Sequence, residues 1–350
     1  MTCPNYCSVT KGEVRASDTL MIRRCYRWAL RFGTILIIAV CTTPTICMAQ
    51  LPSIWFAPRC PYPPANVAGA IDLMDLFRPD APWKRAAVHI SVLKLPTQFL
   101  SWVPDSQLVL IIRDLNRRGI ALAVEALAQN VVGEPACGQG VEGYGDPGQP
   151  DKIAEKIKRL GGQLAYVAMD EPLFFGRFYE GPTACHSSVE NIAHRVAAIV
   201  GRYRLIFPNI QIGDIEPAGA PMRPGWDGSF NEWLLAFHNA VGVPIAFLQV
   251  DVDWNNPNHI DGLKKSVNLA AQSNLSFGVI YNGRDDATSD AQWIDTAKIN
   301  IVNTESVLKG RPAQAIFQSW VSFPARLLPE TNPKSLTYLI DYYLRAHPSR

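Results

Sequence analysis

Short apolar segments alternate with amphipathic segments over most of the chain. The apolar segments are typical of buried β-strands, and the amphipathic ones, with apolar residues three and four positions apart, are typical of helices. The predicted strands are residues 54–58, 86–93, 120–127, 164–169, 210–215, 245–252, 275–281 and 315–321. The predicted helices are residues 71–77, 108–118, 151–160, 188–199, 230–240, 260–272, 291–302 and 335–344, of which the first is weak.

This alternation predicts parallel strands, because each strand is followed by a helix that returns the chain to the same edge of the sheet. Eight such units close into a (β/α)8 TIM barrel, and we assign residues 50–350 to one barrel domain. A doubly wound open sheet is the alternative, but the phosphate-binding pattern GxGxxG is absent after the first strand.

The first 49 residues have the pattern of a secretory signal peptide. Arg23, Arg24, Arg27 and Arg31 precede an apolar core that starts at residue 33, and a small residue, Ala49, ends the segment. A membrane anchor is the alternative, but Thr and Pro interrupt the apolar run, which falls short of the ~20 residues that span a bilayer. We expect cleavage after Ala49, a secreted or periplasmic protein, and no stable membrane insertion after processing.

Charge and cysteine content narrow the partners and the compartment. The formal net charge is +2 and no basic run is interleaved with aromatic residues, so we expect no nucleic-acid partner. Separately, we expect a monomer. Beyond the leader, the cysteines are Cys60, Cys137 and Cys185, without the spacing of a zinc site. In an oxidising compartment a pair is expected, and Cys137 and Cys185, both in loops that contain Gly and Pro, are the best candidates, which leaves Cys60 over.

Polar residues gather where the predicted strands end. In a barrel these ends and the loops after them form the active face. Period-two alternation on the sixth strand places Gln249, Asp251 and Asp253 on one face, which we expect to point into the barrel mouth. The same argument predicts that Glu125, Gln129, Asp214 and Glu216 point inward. His89 and Ser91 are assigned to the end of the second strand, with His89 beneath the acids.

Four tryptophans lie at or just beyond the predicted strand ends: Trp55, Trp226, Trp254 and Trp320. Each alone could be a core residue. As a group they indicate flat apolar platforms on which sugar rings stack, with acids available to the hydroxyl groups.

The fourth predicted strand ends abruptly in Asp170, Glu171 and Pro172. Here the sequence resembles the TIM-barrel glycoside hydrolases whose acid/base Glu ends the fourth strand in an Asn-Glu-Pro-like motif. Trp320 on the eighth strand is similar to the tryptophan that these enzymes place under the sugar at the cleavage point. The resemblance implies a barrel that cleaves a polysaccharide or oligosaccharide, with Glu171 as the catalytic acid. The neighbouring charge of Asp170 is expected to hold the proton of Glu171 more tightly.

The chain departs from that pattern at the seventh strand, where the family places a nucleophilic Glu. This strand ends in Ile280-Tyr281-Asn282-Gly283. For the second catalytic carboxylate we favour Glu216, which repeats the Glu-Pro ending on the neighbouring strand, with Asp251 and Asp253 as rivals. The expected substrate-binding residues are Asp170, Glu125, Asp214, Trp254, Asn282 and Trp320.

Two other functions stay open. A catalytically inactive glycan-binding barrel would fit the missing seventh-strand Glu. A metal-dependent sugar isomerase or epimerase would use Glu125, Glu216, Asp251 and His89 as ligands. For the hydrolase we expect a carbohydrate substrate, no cofactor and no metal.

Overall fold

The computed structural model describes residues 51–348, except 63–66, 132–136 and 257. The chain divides after Met48, and the barrel forms the second unit. The predicted signal peptide lies outside the described residues. In the described part, no helix is long and apolar enough to cross a membrane.

Eight parallel strands close into a barrel, each paired with the next in chain order and the last paired with the first. The barrel strands are β1 (Ser53–Ala57), β2 (Ile90–Pro96), β3 (Ala121–Ala126), β4 (Leu164–Asp170), β5 (Gln211–Pro217), β6 (Phe247–Asp251), β7 (Ser276–Tyr281) and β8 (Gln314–Gln318). The predicted (β/α)8 barrel is confirmed.

Helices follow the strands on the outside. They are α1 (Lys84–Ala87), α2 (Thr97–Trp102), α3 (Asp105–Arg118), α4 (Gln149–Arg159), α5 (Val189–Ile206), α6 (Trp226–Val241), α7 (His259–Gln272), α8 (Asp290–Leu308) and α9 (Leu336–Ala346). The weak first helix is a 3-10 helix at Leu73–Phe77, before the single turn of α1. The Ser188 side chain caps α5 by accepting a hydrogen bond from the Asn191 N–H, and Gly119 ends α3 in the left-handed conformation.

The second strand begins four residues later than predicted. Ala86 and Ala87, which we assigned to it, form the end of helix α1. The carboxylate of Glu330 accepts hydrogen bonds from the N–H groups of Arg85 and Ala86, at 3.0 and 2.8 Å, and stabilises this turn. The prediction that His89 and Ser91 lie at the active end of the strand, with His89 beneath the acids, is therefore wrong, because both are exposed at the opposite end of β2.

Alternate strand residues point into the barrel and outward toward the helices. Trp55 fills the interior, with its ring centroid 4.9 Å from that of Tyr166 and 5.3 Å from that of Phe247. Trp55 is a core residue, and its prediction as a sugar platform is wrong. The inner cluster consists of Trp55, Ala57, Val92, Ala123, Ala168, Ile215, Phe247, Ile280 and Ile316.

A disulfide joins Cys137 in the loop after β3 to Cys185 in the loop after β4, as predicted. The Cα atoms of the two residues are 5.0 Å apart. Cys60 is free and buried, which also agrees with the prediction.

Candidate active site

A cavity of about 450 Å³ opens at the C-terminal ends of the strands. Carboxylates dominate its wall, and one exposed indole stands at its edge. The residues that line it are Glu125, Glu142, Asp170, Glu171, Ile215, Pro217, Asp251, Asp253, Ile280, Asp285, Gln318 and Trp320. The structure thus brings together six of the residues predicted for the site: Glu125, Asp170, Glu171, Asp251, Asp253 and Trp320.

Asp170 and Glu171 are adjacent in sequence, yet both line this cavity. Regular alternation would turn Glu171 outward, as it turns Met169. Glu171 instead has a φ of 46°, in the left-handed region, which breaks the alternation at the strand end. For a residue other than Gly this conformation costs on the order of 1 kcal/mol and often marks a functional site.

Burial and neighbouring charge raise the pKa values of this pair of acids. Glu171 is 7% exposed, and burial followed by the charges of Asp251 and Asp170 raises its pKa well above the usual range. Burial, then the charges of Glu125 and Glu142, likewise raises the pKa of Asp170 well above its usual range. The predicted direction for Glu171 agrees, although burial rather than Asp170 is the largest cause.

The sixth strand supplies Asp251 at its end and Asp253 just beyond it. Their predicted inward orientation agrees with the structure, since both line the cavity. Burial, then the charge of Glu142, raises the pKa of Asp251 to about 7. Asp253 is exposed at the rim, where its Oδ1 accepts a hydrogen bond from the Asn255 N–H at 2.9 Å.

The floor of the cavity holds an ion pair that the sequence analysis missed. The buried ammonium of Lys94 contacts the carboxylate of Glu125, which also accepts a 3.1 Å hydrogen bond from the Gln318 amide. Lys94 lies two residues after the inward-pointing Val92. The predicted strand ended at residue 93, whereas β2 continues to Pro96, so the alternation would have revealed Lys94 if the end of β2 had been placed correctly.

Two loops add carboxylates to the rim that the sequence analysis also missed. Glu142 lies on the loop after β3, where loss of water and the charge of Glu125 raise its pKa. The next residue, Gly143, has a φ of 78°, and a Cβ there would lie 2.6 Å from the Asp170 carbonyl oxygen. Glycine therefore permits this loop to pack against the end of β4.

Asp285 comes from the loop after β7 and orients the tryptophan at the rim. Its Oδ1 accepts a 3.0 Å hydrogen bond from the Nε1–H of Trp320, whose side chain is 38% exposed. Burial, the largest cause, raises the pKa of Asp285. Trp320 thus presents its ring at the cavity edge, as expected for a sugar platform.

A second lobe of about 230 Å³ adjoins the cavity. It includes Arg59, Tyr62 and Phe99, and it contacts the buried Lys94. The two spaces share Glu125, Glu142, Asp170, Gln318 and Trp320, so they form one continuous cleft across the barrel mouth.

The predicted inward orientation of Asp214 and Glu216 is wrong. On β5 the inward residue is Ile215, so its two neighbours face the helix layer. The Oδ2 atom of Asp214 accepts a 2.8 Å hydrogen bond from the Nε1–H of Trp233. The carboxylate of Glu216 accepts hydrogen bonds from the N–H groups of Leu173 and Phe174, at 2.8 and 3.1 Å.

Four further residues expected at the site do not line the cleft. Asn282 is buried, and its Oδ1 accepts a hydrogen bond from the Nε1–H of Trp254, which packs against His259. Trp226 is 1% exposed and packs against Phe178. Gln129 is buried, with its amide oxygen bound to Arg195 and its Nε2 donating to the Pro172 carbonyl.

The described residues contain no group of three or more His, Cys, Asp and Glu side chains arranged to hold a metal ion. Two members of the predicted isomerase ligand set lie away from the cavity, since His89 precedes β2 and Glu216 faces the helices. That ligand set is therefore not assembled.

No protein-family model and no curated protein sequence matches this chain. Solved structures match it in fold. The native xylanase 10B of Thermotoga maritima has 14% identity and a TM-score of 0.50, over 84% of this chain and 94% of that chain. The Ignisphaera aggregans GH53 catalytic domain has 10% identity and a TM-score of 0.49, over 85% and 98% of the two chains. A structure of fungal β-1,4-galactanases has 13% identity and a TM-score of 0.45, over 75% and 88%. At 14% identity the likeness to the xylanase shows the (β/α)8 fold alone, and the chemistry must be argued from the site.

Proposed function

We propose that this chain is a glycoside hydrolase that cleaves a polysaccharide or oligosaccharide, with Glu171 as the proton donor. One observation carries the proposal: Glu171 and Asp251 line the same cavity, and the charge of Asp251 helps to raise the pKa of Glu171. Glycosidic cleavage needs a protonated acid beside the leaving oxygen and a second, ionised carboxylate. A Glu whose pKa is raised well above its usual range suits the first role.

Asp251 replaces Glu216 as the proposed second carboxylate. Its pKa of about 7 keeps much of it ionised near neutral pH, so it can accept a proton from water or attack the anomeric carbon. In either course the Glu171 proton goes to the leaving oxygen, the glycosidic C–O bond breaks, and the oxygen of water ends on the anomeric carbon. Glu216 is less suited because two backbone N–H groups already bind its carboxylate.

Trp320 supports a carbohydrate substrate. Its exposed ring stands at the edge of the cavity, and the hydrogen bond to Asp285 fixes its orientation. Sugar rings stack on such a surface while their hydroxyl groups bind carboxylates. Of the two tryptophans to which we assigned substrate binding, only Trp320 keeps this role in the proposal.

A glycan-binding barrel without turnover is the second candidate. The observation that favours it is the end of β7, where a buried Asn282 follows Tyr281 and the family places a nucleophilic Glu. A hydrolysis assay distinguishes the two functions, because a binding protein would hold glycans without releasing new reducing ends.

The proposed compartment is secreted or periplasmic, with residues 1–49 removed after Ala49. The Cys137–Cys185 disulfide supports this, because disulfides persist in oxidising compartments. N-terminal sequencing of exported protein tests the cleavage site, and an intact leader in a membrane fraction would indicate an anchor. We also propose a monomer, which light scattering at several concentrations tests.

The function is tested by hydrolysis of a panel of polysaccharides, measured as new reducing ends. Glu171→Gln keeps the size of the side chain but cannot donate the proton, so we expect a loss of about 10²- to 10⁴-fold in turnover with retained glycan binding. Asp251→Asn should cause a comparable loss. Glu232→Gln, an exposed acid on α6, is the matched control and should leave the rate unchanged. Full activity in folded Glu171→Gln would remove this mechanism.

A further inference from the structure

The cavity around Glu171 carries far more negative than positive charge. Seven carboxylates line it, and among the described residues that line it there is no Lys, Arg or His. Lys94 lies beneath and is already paired with Glu125. Arg59 lines only the adjoining lobe, where its Nη2 donates to the Gly69 carbonyl at 3.2 Å. The acids around the reaction centre therefore repel one another with little compensation.

Three of these acids also lack hydrogen-bond donors. Within the described part of the chain, burial and charge act on Asp170, Glu171 and Asp251, and no side chain or backbone N–H binds their carboxylates. Glu171 is more than nine-tenths buried and opens onto the cavity. A buried carboxylate without donors is costly, so this arrangement suits a ligand that brings donors with it.

We propose that the glycan bound here carries free amines, as in an oligomer or polymer of hexosamines without N-acetyl groups. This inference deepens the proposed function and rests on it, since it names the substrate class of the same cleft. An ammonium group offers three N–H donors and a positive charge, so it satisfies the open carboxylates and reduces their repulsion. The hydroxyl groups of a neutral sugar supply donors without the charge, and a uronate adds to the repulsion.

The distribution of the acids favours a sugar chain over a single metal ion. They come from β3, β4 and β6 and from the segments that follow β3, β4, β6 and β7, and thus span the cleft. The exposed Trp320 ring offers a surface for a sugar ring beside them. Ammonium groups repeated along a glycan match this spread, and the ring between them matches the indole.

Binding of a cation also favours ionised carboxylates. Because burial raises the pKa values of Asp170 and Asp251, an ammonium that enters beside these two acids should release protons to solvent. A neutral sugar that only accepts and donates hydrogen bonds should release fewer.

The test is titration calorimetry with Glu171→Gln, which we expect to bind glycans without turnover. The probes are oligomers of glucosamine and of galactosamine, their fully N-acetylated forms, and a galacturonate oligomer. We expect an amine oligomer to bind at least about 10-fold more tightly than its N-acetylated form at low salt. A ratio of this size requires only a modest difference in binding free energy. The preference should shrink as salt screens the charges. Runs in buffers of different ionisation enthalpy should show proton release with the amine oligomer.

A matched pair of triple variants separates the cleft from overall charge. Glu142→Gln with Asp253→Asn and Asp285→Asn, all at the rim, should reduce the preference several-fold. The control changes three exposed acids on outer helices by the same charge: Glu190→Gln, Asp261→Asn and Asp295→Asn. It should keep the preference.

Equal affinity for the amine and N-acetylated oligomers, tighter binding of galacturonate, or no binding of any oligomer would each overturn the inference. So would amine binding that requires added Ca²⁺. The hydrolysis panel with unmodified protein tests the proposed function independently, so cleavage of a neutral glycan would retain the function while removing the amine preference.

Discussion

The ammonium of Lys94 and the carboxylate of Glu125 form an ion pair on the floor of the cleft, between the neighbouring strands β2 and β3. The side chain of Lys94 is 1% exposed and that of Glu125 is 18% exposed. Lys94 also acts on the acids above it, since its charge opposes the rise in the pKa values of Asp170 and Asp251. The charge of Lys94 therefore favours the ionised forms of these two acids.

Lys94→Met should destabilise the fold because it leaves Glu125 without its partner. Removal of one member of a buried pair costs about 3–5 kcal/mol, and we expect about 1–3 kcal/mol here because Glu125 is partly exposed. The double variant Lys94→Met/Glu125→Gln removes both charges and should recover much of the loss. Urea unfolding of the three proteins measures this, and a single variant as stable as the parent protein would contradict it.

The sequence predicted the barrel because its apolar segments are regular. The end of β4 is an example: the apolar run stops at Asp170, where the structure also ends the strand. The start of β2 failed because Ala86 and Ala87 suit a helix as well as a strand, and a distant residue, Glu330, stabilises the helical turn. Contacts from over two hundred residues away cannot be read from local pattern.

The site was only partly predictable for the same reason. On β6 the apolar Leu248 and Val250 face the helices, so alternation correctly predicted that Asp251 faces the barrel interior. On β5 both faces mix polar and apolar residues, and the outward direction of Asp214 and Glu216 depends on donors from other elements. Loop acids such as Asp285 have no periodic pattern that would indicate their position.

Glu216→Gln should reduce both stability and turnover, whereas Glu171→Gln should reduce turnover alone. Glu216 accepts hydrogen bonds from the N–H groups of Leu173 and Phe174, just after Glu171, and a Gln amide would replace one acceptor with a donor. We expect a loss of about 1–3 kcal/mol in stability, accompanied by a fall in turnover through displaced Glu171. Glu171→Gln should remove turnover without this loss. Thermal melting and hydrolysis of both variants test the distinction, and an unchanged melting temperature in Glu216→Gln would argue against its positioning role.

The stability of the Asp214→Asn variant relative to the parent protein should increase as pH rises. Burial, opposed by the hydrogen bond from Trp233, raises the pKa of Asp214 from 3.8 to about 8. The folded state therefore binds this proton more tightly than the unfolded state, and the parent protein loses stability as pH rises from about 4 to about 8. Asn keeps an acceptor for Trp233 and does not ionise. Urea midpoints across this pH range should fall less steeply in the variant, and parallel curves would contradict the prediction.

The Cys137–Cys185 disulfide should stabilise the loops at the barrel mouth. It links positions 48 residues apart, and closure of a loop of this size typically contributes about 2–4 kcal/mol. Cys137→Ser with Cys185→Ser should lower the melting temperature, while Cys60→Ser, which changes a buried free thiol, serves as a comparison. Peptide mapping without reductant should pair Cys137 with Cys185, and a peptide that joins either one to Cys60 would contradict the assignment.

Lys94 should also set the acidic side of the pH–rate profile. In the proposed mechanism turnover needs ionised Asp251 and protonated Glu171, so kcat/KM should rise through a pKa near 7 and fall at higher pH. The charge of Lys94 lowers the pKa of Asp251, so its removal in Lys94→Met should raise that pKa and shift the rising limb to higher pH.

Glu125 acts in the opposite direction, because its negative charge raises the same pKa. In Lys94→Met/Glu125→Gln the two changes oppose each other, and the rising limb should return toward its original position. Initial rates between about pH 4 and pH 10, with folding confirmed at each pH, measure all three profiles. A rising limb that stays fixed or moves to lower pH in folded Lys94→Met would show that Asp251 is not the group whose ionisation turnover requires.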